Sequence, residues 1–287
     1  MRRANRANKQ WLIFIDTNIL LDFYRQSGES AIRQISLLEK HKNSLIITDQ
    51  VWMEFLKNRQ QVLTSTVNAL KQPDGISFPP FLSDYQPAKT VIASLKSAGS
   101  NFKKVRRKID NMISNPASHD SVYKGLFKIF SHVGDYTLTR DDEVKHEIRS
   151  LAQKRFTLGY PPRKSSDNSI GDAINWEWIV HCAVKSADKR NIMIVSRDND
   201  YGMSVGQDRY LNDWLVKEFK ERVSTKRQIE LSPKLTVALK RMDEQVSRSD
   251  EREEAAIIAA VASAPYTLEE LKRKYLIDAS DIEGVDA

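Results

Sequence analysis

One cysteine in 287 residues, Cys182, excludes an internal disulfide and any zinc site built on several thiolates. It stands among apolar residues after Trp176 and Trp178, the setting of a buried, inert thiol. Histidine is also scarce. The five, His41, His119, His132, His146 and His181, share no metal-ligand spacing, so they read as surface or packing residues and argue against a histidine-based ribonuclease. No apolar stretch approaches the roughly 20 residues that span a bilayer, so no membrane partner is expected. The basic N-terminus, MRRANRANKQ, runs into a strand-like segment with no small-residue cleavage site. The expected compartment is therefore cytoplasmic.

What remains is an ordinary globular composition, 40% hydrophobic and 29% charged, on a chain long enough for one large core or a core plus a smaller unit. Its formal net charge of +7 favours an anionic partner.

The order of elements reads as α/β. Trp11–Ile15 is a continuous apolar run of the kind a central parallel strand shows, followed by Asp16-Thr17-Asn18 and a helical segment. Ser30–His41 has helical spacing, and Leu45–Ile47 is a second strand. Thr48 or Asp49 then caps a helix carrying Val51, Trp52, Phe55 and Leu56. A third strand is expected near Gly75–Phe81, although prolines interrupt it. Ile192–Val195 is the clearest late strand and Gln228–Leu231 the last.

From about residue 57 to 166 the pattern turns helical, and this block reads as an insertion within a domain spanning residues 1–240. Residues 241–287 read as a C-terminal helical tail with a capping-box signature at Thr267–Glu270, a place for a protein partner or inhibitor. The insertion carries Lys103, Lys104, Arg106, Arg107 and Lys108, then Lys154 and Arg155, then Arg163 and Lys164. Each cluster alone balances a solvated helix face against phosphate binding, and their convergence on one insertion tilts the reading to nucleic acid.

Carboxylates carry the chemical signal. Asp16 ends the first strand, where ligand crevices form in parallel sheets. Asp198 and Asp200 follow the late strand through Ser196, and Asp172 opens a helix just after Gly171. Each has an ordinary explanation as a cap or turn residue. Glu54 lies mid-helix, where a surface carboxylate is the default. Asp167 sits in a polar loop and suits a turn as well as a site. Taken together, several carboxylates at one rim repel unless a hard divalent ion neutralises them.

In this order and spacing the chain resembles the PIN domain, a nuclease fold related to flap endonucleases. The resemblance rests on Phe14-Ile-Asp-Thr-Asn18, on Glu54-Phe-Leu-Lys-Asn58-Arg59, on Gly171-Asp-Ala-Ile-Asn-Trp176 and on Ser196-x-Asp198-x-Asp200. It covers about Trp11 to Leu239 apart from the insertion, and is closest to the larger PIN-like proteins with a helical insertion before the third acid. The resemblance implies a Rossmann-like three-layer α/β/α fold with a central parallel sheet. It further implies hydrolysis of phosphodiester bonds, RNA before DNA, with Mg²⁺ or Mn²⁺. Asp16, Glu54, Asp172 and Asp198 would be catalytic and metal-binding, with Asp200 a further metal ligand. Thr17, Asn18 and Ser196 would orient the carboxylates, and Arg59 would join the basic residues on nucleic acid. Such proteins occur as toxins and in RNA turnover and phage defence.

Three other classes share part of this pattern. A haloacid-dehalogenase-type phosphatase needs a second Asp where Asn18 stands. A catalytically silent binding module conflicts with the presence of all four acids. A structure-specific or single-strand DNA nuclease is the nearest alternative.

Overall fold

The computed structural model describes residues 11–71, 75–163, 169–205 and 208–263. Five parallel strands form the main sheet in the order β3-β2-β1-β4-β7, and β5 and β6 form a separate antiparallel pair. Their ranges are β1 Trp11–Ile15, β2 Leu45–Thr48, β3 Thr137–Leu138, β4 Asn191–Val195, β5 Gly202–Val205, β6 Asp208–Leu211 and β7 Ile229–Ser232. Every residue of β1, β2 and β4 is buried, as expected of strands covered on both faces. The long apolar runs of the sequence are therefore the centre of the sheet.

Eleven helices are described: α1 Thr17–Leu21, α2 Gly28–Lys40, α3 Asp49–Ala69, α4 Gln86–Ser114, α5 Pro116–His119, α6 Ser121–Phe130, α7 Val144–Leu158, α8 Gly171–Lys185, α9 Asp213–Arg222, α10 Leu235–Arg241 and α11 Arg248–Ser263. They cover the sheet on both sides in a three-layer α/β/α sandwich. Strand order runs outward from β1 in both directions, so connectivity reverses between β1 and β4. Ligand crevices in open α/β sheets form beyond the carboxyl ends of the strands at such a point.

The third strand lies elsewhere than the sequence predicts. Residues 75–79 form no strand and Pro80–Leu82 is a short 3₁₀ turn. Pro79 and Pro80 have no N–H to give a ladder. The edge of the sheet is taken instead by β3, which pairs Thr137 and Leu138 with Ile47 and Thr48. Two residues between helices offer no alternating pattern to read.

That placement puts a strand of the main sheet between residues 57 and 166. The α/β frame resumes with α6, which packs on α2 so closely that a Cβ on Gly125 would stand 2.5 Å from Ile35. Helix α7 lies against α8 through Arg155, whose Nε donates to Glu177 at 2.8 Å. What departs from the frame is the far part of α3 together with α4 and α5. Of the 29 residues in α4 only Ala88 is buried.

The last described helix is part of the body. Glu254 on α11 accepts from the first backbone amides of α10 at Leu235 and Thr236, and Asp250 binds Arg33 of α2 at 2.6 Å. Burial alone would raise the Asp250 carboxyl, yet bonds from Arg33, Ser247 and Ser30 hold it at about 2. The capping-box signature at Thr267–Glu270 lies outside the described residues.

Candidate functional site

Asp16 is the first residue past β1. Register pairs Ile15 with Val195, which sets Asp16 level with Ser196 on the neighbouring strand. Its carboxylate is 4% exposed and fully engaged. Oδ1 accepts from the Thr17 amide at 2.7 Å, capping α1, while Oδ2 accepts from Asn18 Nδ2 at 2.6 Å and Ser196 Oγ at 2.5 Å. All three donors are neutral. Burial pushes the Asp16 carboxyl up to about 6; the Ser196 bond opposes this, and the charges of Asp198 and Glu54 add to it. Ser196 Oγ also accepts from the Asp198 amide at 3.0 Å, tying the two acidic segments together.

Glu54 reaches the same rim from α3. Thr48 caps that helix through a 3.1 Å bond from the Val51 amide, so its first turns begin where β2 ends. Thr17 Oγ1 donates to Glu54 Oε2 at 3.2 Å and Gln50 Nε2 to Oε1 at 2.7 Å. Opposite stands the start of α8. A Cβ on Gly171 would lie 2.5 Å from Glu54 Oε1 and 2.7 Å from Gln50 Nε2, so a larger residue there would displace the ends of both side chains. Asp172 follows in the first turn of α8.

Asp16, Glu54, Asp172 and Asp198 line one cavity of about 410 Å³, with Thr17, Asn18, Gln50, Lys57, Asn58 and Ser169 also on its wall. Asp172, Asp198 and Asp200 each offer an oxygen within 4.8 Å of the others, the one such acidic trio among the described residues. Asp16 and Glu54 stand outside that trio and share the cavity wall with two of its members, Asp172 and Asp198. This oxygen-only donor set suits a hard divalent cation, which neutralises carboxylates that otherwise repel. A larger hollow of about 680 Å³ beside β7 and the β5–β6 pair holds no comparable trio.

Several residues here escaped the sequence reading. Gln50 and Lys57 recur at helical spacing on the same face of α3 as Glu54, which the sequence did point to, so that signal was available. Arg209 gave none: β6 brings it back so that Nη2 donates to the Asp198 carbonyl at 2.7 Å. Tyr201, fully buried, lies among the charges of Asp172, Asp16, Glu54 and Asp198.

The predicted nucleic-acid residues are scattered. Lys103, Lys104, Arg106, Arg107 and Lys108 are all exposed on α4, away from the cavity wall, and none forms an ion pair with a described carboxylate. Arg163 is exposed, its guanidinium 4.6 Å from the Phe156 ring centre. Lys164 and Asp167 lie outside the described residues. Arg59 is a correction. It is 2% exposed and bonds Asp120 through Nη2 at 2.6 Å and Nε at 2.9 Å. The reason is helical phase, because Arg59 follows Val51 and Phe55 at steps of four on the buried face of α3.

A family model described as a PIN domain matches residues 13–201. No curated protein and no solved structure matches the chain.

Proposed function

The chain belongs to the PIN-domain family, a family of metal-dependent nucleases, and from that premise we propose that it is an endoribonuclease working with Mg²⁺ or Mn²⁺. The observation that carries the reading is the convergence of Asp16, Glu54, Asp172 and Asp198 on one cavity from four separate elements. Asp172, Asp198 and Asp200 would hold the cation, with Asp16 and Glu54 completing the cluster. A divalent ion bound there lowers the pKa of water and offsets negative charge developing on a phosphodiester.

The protein's own contribution is orientation. Thr17, Asn18, Gln50 and Ser196 fix the Asp16 and Glu54 carboxylates through neutral hydrogen bonds, leaving their charge uncompensated. Lys57, exposed on the cavity wall, supplies a cation for a substrate phosphate. The basic strip of α4 draws the polynucleotide in from solution. Single-stranded RNA is the substrate this reading favours, with single-stranded or structured DNA as the alternative.

The test is to incubate the protein with end-labelled single-stranded RNA, single-stranded DNA and duplexes in Mg²⁺, Mn²⁺ or EDTA. Internal cleavage of RNA with a divalent ion, none in EDTA, and none by Asp16→Asn or Glu54→Gln supports it. Preferential cleavage of DNA favours the alternative. Binding of RNA without cleavage in any metal would sink the enzymatic reading.

A further inference from the structure

Arg197 stands between Ser196, which bonds Asp16, and Asp198, and its side chain is only 12% exposed. Four contacts hold it. Its amide donates to Asn18 Oδ1 at 3.3 Å. In the guanidinium, Nη2 bonds the Asp22 carboxylate and also donates to the Asn18 carbonyl at 3.4 Å. Nη1 donates to the Pro233 carbonyl at 3.2 Å. Asn18 belongs to α1, Asp22 caps the end of that helix, and Pro233 leads from β7 toward α10. One side chain therefore ties the exit of β4 to α1 on one side and to the β7–α10 turn on the other.

Asn18 passes that anchoring on to the acids. With Oδ1 accepting from Arg197, its carboxamide presents Nδ2 to Asp16 Oδ2 at 2.6 Å and to Ser196 Oγ at 3.3 Å. Ser196 Oγ in turn donates to the same Asp16 oxygen and accepts from the Asp198 amide. A continuous run of hydrogen bonds thus joins Arg197 to both acidic segments. The charge of the guanidinium goes elsewhere: its carboxylate partner is Asp22, which also takes Arg25 at 2.8 Å. A planar fork can serve a carboxylate and two carbonyls in separate directions, whereas a lysine ammonium would meet Asp22 as a point charge on a flexible stem. Where carboxylates hold a metal ion, losing a group that orients them typically lowers metal affinity or activity about 10–100-fold.

We propose that Arg197 is a positioning residue of the carboxylate cluster: by holding α1 against the exit of β4, it fixes the Asn18 carboxamide and, through it, the placement of Asp16 relative to Asp198. This rests on the metal-site reading above. Asn18 and Ser196 touch the Asp16 carboxylate, and Arg197 keeps both of them where they can.

The experiment uses the full chain and two variants. Arg197→Lys keeps a cation for Asp22 but gives up the fork, and Asp22→Asn loosens the same contact from its far end, so one variant decides if the other fails to fold. The measurements are the side-chain amide NMR signals of Asn18 without metal, Mn²⁺ affinity by calorimetry, thermal midpoints, and kcat and KM on labelled single-stranded RNA. The expected result is Asn18 signals that shift toward those of a free carboxamide, Mn²⁺ binding weakened about tenfold, and a lower kcat at unchanged KM. A lower thermal midpoint with Asn18 signals, Mn²⁺ affinity and kcat all at wild-type values would overturn the proposal, because it marks the arginine as merely structural. Wild type that binds no Mn²⁺ overturns the metal site and this proposal with it, whereas wild type that binds and variants that match it overturn the role of Arg197 alone.

Discussion

Asp120 and Asp16 are both buried acids at helix N-termini, and they are treated in opposite ways. Asp120, 0% exposed, caps α6 through the Tyr123 amide and is met by the Arg59 guanidinium and the Tyr24 hydroxyl. Glu177 is likewise clamped between Arg155 and Arg222. Asp16 caps α1 in the same manner but receives only an amide, a carboxamide and a hydroxyl. Glu54 beside it also has neutral donors alone. At Asp120 and Glu177, carboxylates that serve the fold, this protein supplies an arginine. At Asp16 and Glu54, which line the cavity, no arginine bonds the carboxylate. Burying an uncompensated carboxylate costs stability, and the raised Asp16 pKa records that cost.

The largest expected effect lies on the compensated side. Arg59→Leu leaves the buried Asp120 carboxylate without its counter-ion, and should lower stability by about 3–5 kcal/mol in urea denaturation. Arg59→Leu with Asp120→Leu should recover most of that loss. If the single variant is as stable as wild type, the arginine is not what secures this helix junction.

On the uncompensated side the sign reverses. Asp16→Asn keeps the cap but deletes a disfavoured charge, so at pH 7 without metal it should be more stable than wild type by on the order of 2–3 kcal/mol. The folded protein holds the Asp16 proton up to about pH 6, the unfolded chain only to about 3.8. Wild type therefore gains stability from this group as pH falls through that window and loses it as pH rises through 6. The advantage of Asp16→Asn should shrink toward zero near pH 4. A constant gap across the window would mean that Asp16 is not the titrating group. Mn²⁺ binding, which competes with that proton, should weaken below pH 6.

Gly171→Ala probes spacing without touching charge. Alanine is the better helix former by about 1 kcal/mol, and the atom it meets is the mobile end of Glu54, so stability should change by less than that amount. Cleavage should nevertheless fall, because Glu54 Oε1 must move. Full activity would show that the carboxylate has slack.

The smallest effect is expected from α4. Replacing Lys103, Lys104, Arg106, Arg107 and Lys108 with Gln should leave stability within about 0.5 kcal/mol while weakening nucleic-acid binding and flattening its salt dependence. An unchanged salt slope would make the strip an ordinary solvated face.

Legibility in the sequence followed burial. The strands β1, β2 and β4 announce themselves because both faces are covered, and Asp16 and Asp198 could be placed because they directly follow such runs. β3 could not, since two residues carry no period. Arg59 misled because a basic residue five positions after Glu54 looks like a phosphate ligand until helical phase sets it beside Phe55. Tyr201 and Arg209 reach the acids only through tertiary folding of the chain after β4, which no local pattern encodes.

The pairing of Ile15 with Val195 has one more consequence. A slip of one residue between β1 and β4 would turn Asp16 to the opposite face and separate it from Ser196. Such a molecule could be compact, soluble and nearly as helical as its correctly assembled sibling. It would be inert. Turnover per mole of purified protein therefore doubles as a census, counting the fraction of chains that closed the central pair in register.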